Sequence, residues 1–180
     1  MLKFHTEKEE KNFTDYYQKL PPELIKKEDK YKEHSEASGR SKRTRVYPIF
    51  QMVDALLIPA KEHIACQKGC SHCCQKPVSI TLQEAEYIGF KEGLQVAYEN
   101  FEFFPKQDTS GACPFLKENL CSIYDNRPYN CRRKVQFDSK ERCEQDLESA
   151  EIFWTGLEMT LMDISDFKVS DIRHAFKIKK

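Results

Sequence analysis

The sequence predicts a mainly α-helical protein, a small helical domain built around an irregular cysteine-rich region, with one short β-hairpin. Three observations predict it. Apolar residues recur at helical spacing in several segments, and two pairs of positions have capping-box spacing. Strand-like alternation is nearly absent, while residues 101–135 break the helical pattern with three prolines and three cysteines.

The elements follow in order. "LPPELIKKEDKYKEH" gives one helix starting near Pro22 or Glu23, because proline's fixed φ suits the first helical turn. Polar "SEASGRSKRTR" reads as a loop. In "YPIFQMVDALLIPAKEHIAC", Ile49, Met52, Val53, Leu56 and Leu57 form a stripe that faces a core. Thr81 and Glu84 open a second helix, expected to run through about Ala97. Within 101–135 the turn residues predict a short hairpin pairing Pro114–Leu116 with Cys121–Ile123. From Asp138, capped with Glu141, one long helix is expected, with Leu147, Ala150, Trp154, Leu157 and Leu161 as its stripe. "SDIRHAFKIKK" adds a short final helix. The organisation expected is a charged, partly flexible helical extension at 1–45, a cysteine-cluster domain at 46–165 and a tail at 166–180.

Composition narrows the function classes. The chain has 180 residues, enough for one domain with a modest core, since 39% are apolar and 32% charged. Lysine plus arginine equals aspartate plus glutamate at 29 each, which removes the case for capture of nucleic acid by the whole surface. The basic "RSKRTR" reads as a solvated linker. "MLKFHTEKEE" lacks the apolar stretch of a secretory signal, and "ALLIPA" is too short to span a bilayer. A cytoplasmic protein without a membrane partner is expected, and there thiols stay reduced.

Eight cysteines carry the chemistry: Cys66, Cys70, Cys73, Cys74, Cys113, Cys121, Cys131 and Cys143. A disulfide framework suits a small secreted chain and not this one. A redox Cys-x-x-Cys exists at Cys70 and Cys73, but thioredoxin-like chemistry expects it after a strand. Metal binding fits best. Were "CQKGCSHCC" helical, its four thiols would lie within roughly a 100° arc, and Gly69 allows a knuckle-like turn instead. In either form Cys70 and Cys73 reach one ion, while Cys74 points elsewhere than Cys73 and can serve a second site. Four plus four thiols suit two tetrahedral sites or one polynuclear cluster, with zinc or iron, including a [4Fe–4S] cluster, as the metal. Four thiolates on one Zn²⁺ leave a net charge of about −2, which calls for nearby donors or cations. Of Lys68, Lys76, Arg127, Arg132, Arg133 and Lys134, Arg132 is the favoured partner because it follows Cys131. His72 is read as a neighbour of the thiols and not a ligand; His63 is weaker still.

"CQKGCSHCC" followed by "CPFLKENLCSIYDNRPYNCR" resembles the YkgJ-type cysteine-cluster family, the CxxCxxCC zinc- or iron-chelating type. The resemblance covers about residues 62–145, and all eight cysteines have counterparts in it. It implies a metal site and leaves the reaction undefined. Some relatives are flagellin lysine N-methylases, so an iron–sulfur enzyme or component in protein modification or electron transfer is the alternative. Cys66, Cys70 and Cys73 also have the Cys-x3-Cys-x2-Cys spacing of radical S-adenosylmethionine enzymes. Against that stand the shortage of strands and the lack of a glycine-rich phosphate loop. The sequence names no protein partner and assigns no catalytic residue.

Overall fold

The computed structural model describes residues 4–67, 69–103, 111–145, 152 and 154–177. Its helices are α1 Glu7–Gln18, α2 Pro22–Asp29, α3 Tyr31–Ala37, α4 Val46–Leu56, α5 Leu82–Glu92, α6 Tyr129–Arg133, α7 Lys140–Glu144 and α8 Thr155–Ile164. Its short strands are β1 Ser79–Thr81, β2 Leu116–Lys117, β3 Leu120–Cys121 and β4 Val169–Asp171. The protein is mainly α, as the sequence predicts.

α4 holds the centre. Ile49, Val53 and Leu56 of its stripe are fully buried, and the helix packs against α5 and α6. Each such side chain contributes roughly 1.5–3 kcal/mol by leaving water. α1 closes one side of this core. Its Tyr16 is fully buried with the hydroxyl donating to the Leu56 carbonyl (3.3 Å), and Asn12 Nδ2 donates to the Phe137 carbonyl (2.6 Å). Thr6 caps the helix by accepting from the Glu9 amide (3.0 Å).

The helix expected from Pro22 is two helices. The chain turns at Lys30 (φ −98°, ψ 8°), which lets both α2 and α3 lie on α8. The capping box of α5 forms as predicted, with the Thr81 side chain accepting from the Glu84 amide and Glu84 accepting from the Thr81 amide (2.9 Å). The helix stops before Ala97 because Gly93 takes the left-handed conformation (φ 67°), which costs glycine little.

The hairpin pairs Leu116 with Cys121, the expected register, and Lys117 with Leu120, one pair further toward the turn. Its two turn residues, Glu118 and Asn119, both have positive φ (50° and 62°), the geometry that matches the twist of a two-residue hairpin. The tail corrects the expectation of a final helix. Asp166 and Phe167 reverse the chain with φ of 50° and 55°, and β4 then pairs antiparallel with β1, Ile80 opposite Ser170.

The long helix expected from Asp138 is also interrupted. α7 begins at Lys140 behind Ser139, and Asp138 instead accepts from the Thr6 hydroxyl (3.0 Å). α8 begins only after Trp154, whose backbone is not helical (φ −104°, ψ 86°). Trp154, Leu157 and Leu161 of the expected stripe are buried, while Leu147 and Ala150 lie outside the described residues. The start of α8 leans on α2, since the Leu157 amide donates to Glu28 Oε1 (3.1 Å). A side chain at Gly156 would place its Cβ 2.0 Å from the Glu28 carbonyl oxygen, so this close approach requires glycine. Among the described residues no helix is long and apolar enough to cross a membrane.

Candidate metal centre

The first cysteine cluster is a knuckle and not an α-helix. Gly69 has φ 90°, and a 3₁₀ turn spans His72–Gln75. The second cluster is delivered by three supports: the turn before β2 for Cys113, β3 for Cys121 and α6 for Cys131. α7 carries Cys143 and packs on the 3₁₀ turn. All eight cysteines are free thiols; Cys73 is exposed and the others are half-buried. Cys66, Cys113, Cys121 and Cys131 pack against the hydrophobic core.

Hydrogen bonds fix several of these supports. The Cys113 amide donates to the Cys74 carbonyl (2.7 Å), which ties the two clusters together. The Gln136 amide donates to Cys66 Sγ (3.3 Å), and the Ala65 amide donates back to the Gln136 carbonyl (2.8 Å). The Gln136 side chain also hydrogen-bonds Cys143.

The thiols sense one another. Burial pushes Cys66 up to about 11, opposed by the Gln136 amide, and the neighbouring Cys143, Cys70 and Cys73 add to the rise. Burial likewise pushes up Cys131, with Cys73, Cys113 and Cys121 adding to it. Cys113 and Cys121 rise for the same first reason, and so does Cys143. Cys73 is the exception, held at about 6 by a hydrogen bond with Cys74 and by the cations Lys134 and Arg127. Cys74 is correspondingly pushed up.

Among the described residues no three His, Cys, Asp or Glu side chains converge at metal-ligand distance. The thiols are gathered into one region without being drawn onto a point. Neutral thiols have no attraction that would draw them together; a cation supplies it and displaces their protons on binding. The donor set nevertheless fits a thiophilic metal. Eight free thiols share one region, and Arg127 Nε is buried there with no hydrogen-bond partner. The Arg127 guanidinium lies over the Tyr124 ring at 4.1 Å, helps to lower Cys73 and opposes the rise that burial imposes on Cys121 and Cys131. A half-buried cation of this kind suits a site whose thiolates outnumber the charge of their metal.

Arg132 does not take the role expected from its place beside Cys131. It is buried, and its donors go to Asp54 Oδ2 (2.6 Å), the Arg127 carbonyl (2.8 Å) and the Asp125 carbonyl. Its guanidinium also stacks on Phe50 at 4.4 Å. One helical step from Cys131 turns the side chain away from the thiols and into α4. Arg133 is similarly occupied, donating to Asn130 Oδ1 (2.8 Å). Arg127 follows the expected extended connection into Pro128 (φ −57°, ψ 147°) and supplies the charge instead.

Arg173 is a cation that the sequence reading passed over. It sits beside Asp171 (3.6 Å), donates to the Gln75 carbonyl (3.3 Å) and opposes the rise that burial imposes on Cys113. Only the pairing of β4 with β1 brings it there, and no local pattern in the tail signals that pairing. Asp15 of α1 is lowered chiefly by its hydrogen bond with Lys11, with His63 adding a little, and Lys68 lies outside the described residues.

A helical scaffold that gathers eight free thiols beside a half-buried arginine defines a cysteine-cluster protein. Residues 65–151 match the model of the CxxCxxCC family, described as "Putative zinc- or iron-chelating domain". No curated protein and no solved structure matches the chain significantly.

Proposed function

We propose that the chain is a metal-binding protein in which Cys66, Cys70, Cys73, Cys74, Cys113, Cys121, Cys131 and Cys143 are the ligands of zinc or of an iron–sulfur cluster. The gathering of the eight cysteines from five separate supports, four of the thiols packed against the core, carries this reading. The metal's main role is to nucleate the fold. Structural zinc contributes about 10–16 kcal/mol in finger peptides, against about 5–15 kcal/mol for the net stability of a whole domain. The elements holding the thiols are short, so their order depends on what the thiols bind. Free thiols in this number also suit a reducing, cytoplasmic setting.

The enzyme alternative needs a substrate cleft beside the thiols. A cleft of about 690 Å³ is lined by Arg43, Phe90 and Tyr98, and no cysteine lines it. Cys70→Ser and Cys131→Ser test the ligand set. Each should lower metal content and soluble yield; wild-type metal content with wild-type melting in both would remove these residues from it.

A further inference from the structure

We infer that the cleft between the basic turn Arg43–Arg45 and α5 is a binding site for a ribonucleoside phosphate, with Lys42 and Arg43 taking the phosphate and Phe90 and Tyr98 taking the base. The inference is independent of the metal-binding reading above, because no cysteine lines this cleft.

The basic stretch "RSKRTR" is folded and not a free linker. Residues 43–45 form a 3₁₀ turn that packs on α5. The Thr44 hydroxyl donates to the Ser41 carbonyl (2.9 Å), and Arg45 Nε donates to the Arg40 carbonyl (2.9 Å). These bonds hold Lys42 and Arg43 along one wall of the cleft. The floor is a single stripe of α5, made by Gln83, Glu86 and Phe90 at helical spacing, and Tyr98 stands opposite the turn. Folding therefore sets two large aromatic rings beside a basic run that contains none.

The fold itself makes little use of these groups. Phe90 is 67% exposed and Tyr98 58% exposed. The Arg43 guanidinium lies over the Phe90 ring at 4.8 Å, and no carboxylate pairs with it among the described residues. Lys42 bonds Asp166 (2.7 Å), but both side chains are exposed, and a surface pair of that kind yields readily to a phosphate. Gln83 is the most telling. It is only 8% exposed, and its side-chain amide has no hydrogen-bond partner among the described residues, whereas its main-chain N–H is satisfied by Ser165 Oγ (3.2 Å). A buried amide without a partner is costly, so one that lines a cleft points to a ligand entering there.

The lining matches three parts of one ligand. Aromatic faces stack on a base, and the Gln83 amide offers the donor and acceptor that pair with N6 and N7 of adenine. Glu86, which accepts from the Tyr98 hydroxyl (3.3 Å), has a second oxygen for ribose hydroxyls. Arg43 and Lys42 supply charge for the phosphate. The volume of about 690 Å³ lies within the usual range for small-molecule sites, about 300–1,000 Å³.

Calorimetric titration of the natively prepared full chain tests this, with AMP, a short oligoadenylate RNA, adenosine and inorganic phosphate as separate probes. AMP should bind with a Kd below about 1 mM, and roughly tenfold more tightly than adenosine or phosphate. Arg43→Ala and Phe90→Ala should each weaken AMP about tenfold while metal content and melting stay at wild-type values, since both side chains are exposed. RNA that binds more tightly than AMP and is weakened by the same substitutions assigns the nucleotide to a single strand; tighter AMP assigns it to the free molecule. Failure of both AMP and RNA to bind, binding that survives both substitutions, or phosphate bound as tightly as AMP overturns the site.

Discussion

Arg132→Ala should destabilise the protein by about 3–4 kcal/mol although the residue touches no thiol. Two backbone carbonyls, of Asp125 and Arg127, lose their donor, at roughly 1–1.5 kcal/mol each for hydrogen bonds of this kind. Asp54 is 52% exposed and regains water, so its lost ion pair adds no more than about 1 kcal/mol. Loss of the stack on Phe50 (4.4 Å) adds about 0.5–1 kcal/mol. Urea unfolding of the metal-loaded protein reads the change as a lower midpoint with an unchanged slope. Arg132→Lys should recover little, because an ammonium cannot make the planar fork. A midpoint within about 0.5 kcal/mol of wild type for Arg132→Ala, or full recovery by lysine, would refute the argument.

Arg127→Gln should act in the opposite way, weakening metal retention roughly tenfold in chelator competition with little change in melting. Unchanged retention would show that the thiolates do not need its charge. Gly156→Ala should lower stability by about 1–3 kcal/mol by forcing α8 off α2, read by thermal melting. Glu28→Gln should flatten the pH dependence of stability above the ordinary carboxylate range. Burial raises Glu28, so the folded state holds its proton longer than the unfolded state; stability falls as pH rises from the unfolded value of 4.5 through the raised one, and the cost persists at neutrality. Parallel melting profiles for wild type and variant across acid to neutral pH would contradict this.

Local signals in the sequence carried much of this structure. The α4 stripe, the Thr81–Glu84 capping box and the hairpin at Leu116 and Cys121 each depend on residues close together in the chain. The cysteine motif was equally legible, since its resemblance to the CxxCxxCC type agrees with the family model that residues 65–151 match. What escaped depended on distant partners. α2 and α3 divide because both rest on α8, and the start of α8 is set by contact between Gly156 and Glu28. β4 forms only because β1 offers an edge 90 residues away, as the pairing of Ser79 with Asp171 and Ile80 with Ser170 shows. Adjacency to Cys131 suggested a role at the thiols for Arg132, but one step along a helix turns a side chain by about 100°. Arg127 and Arg173 reach the thiols through turns and pairings that sequence proximity does not display.

X-ray absorption at the metal edge of natively prepared protein tests the central claim most directly. Thiolate ligation predicts a coordination shell of four sulfur atoms per metal at about 2.3 Å. A shell dominated by nitrogen or oxygen, or protein that carries no metal, would contradict it.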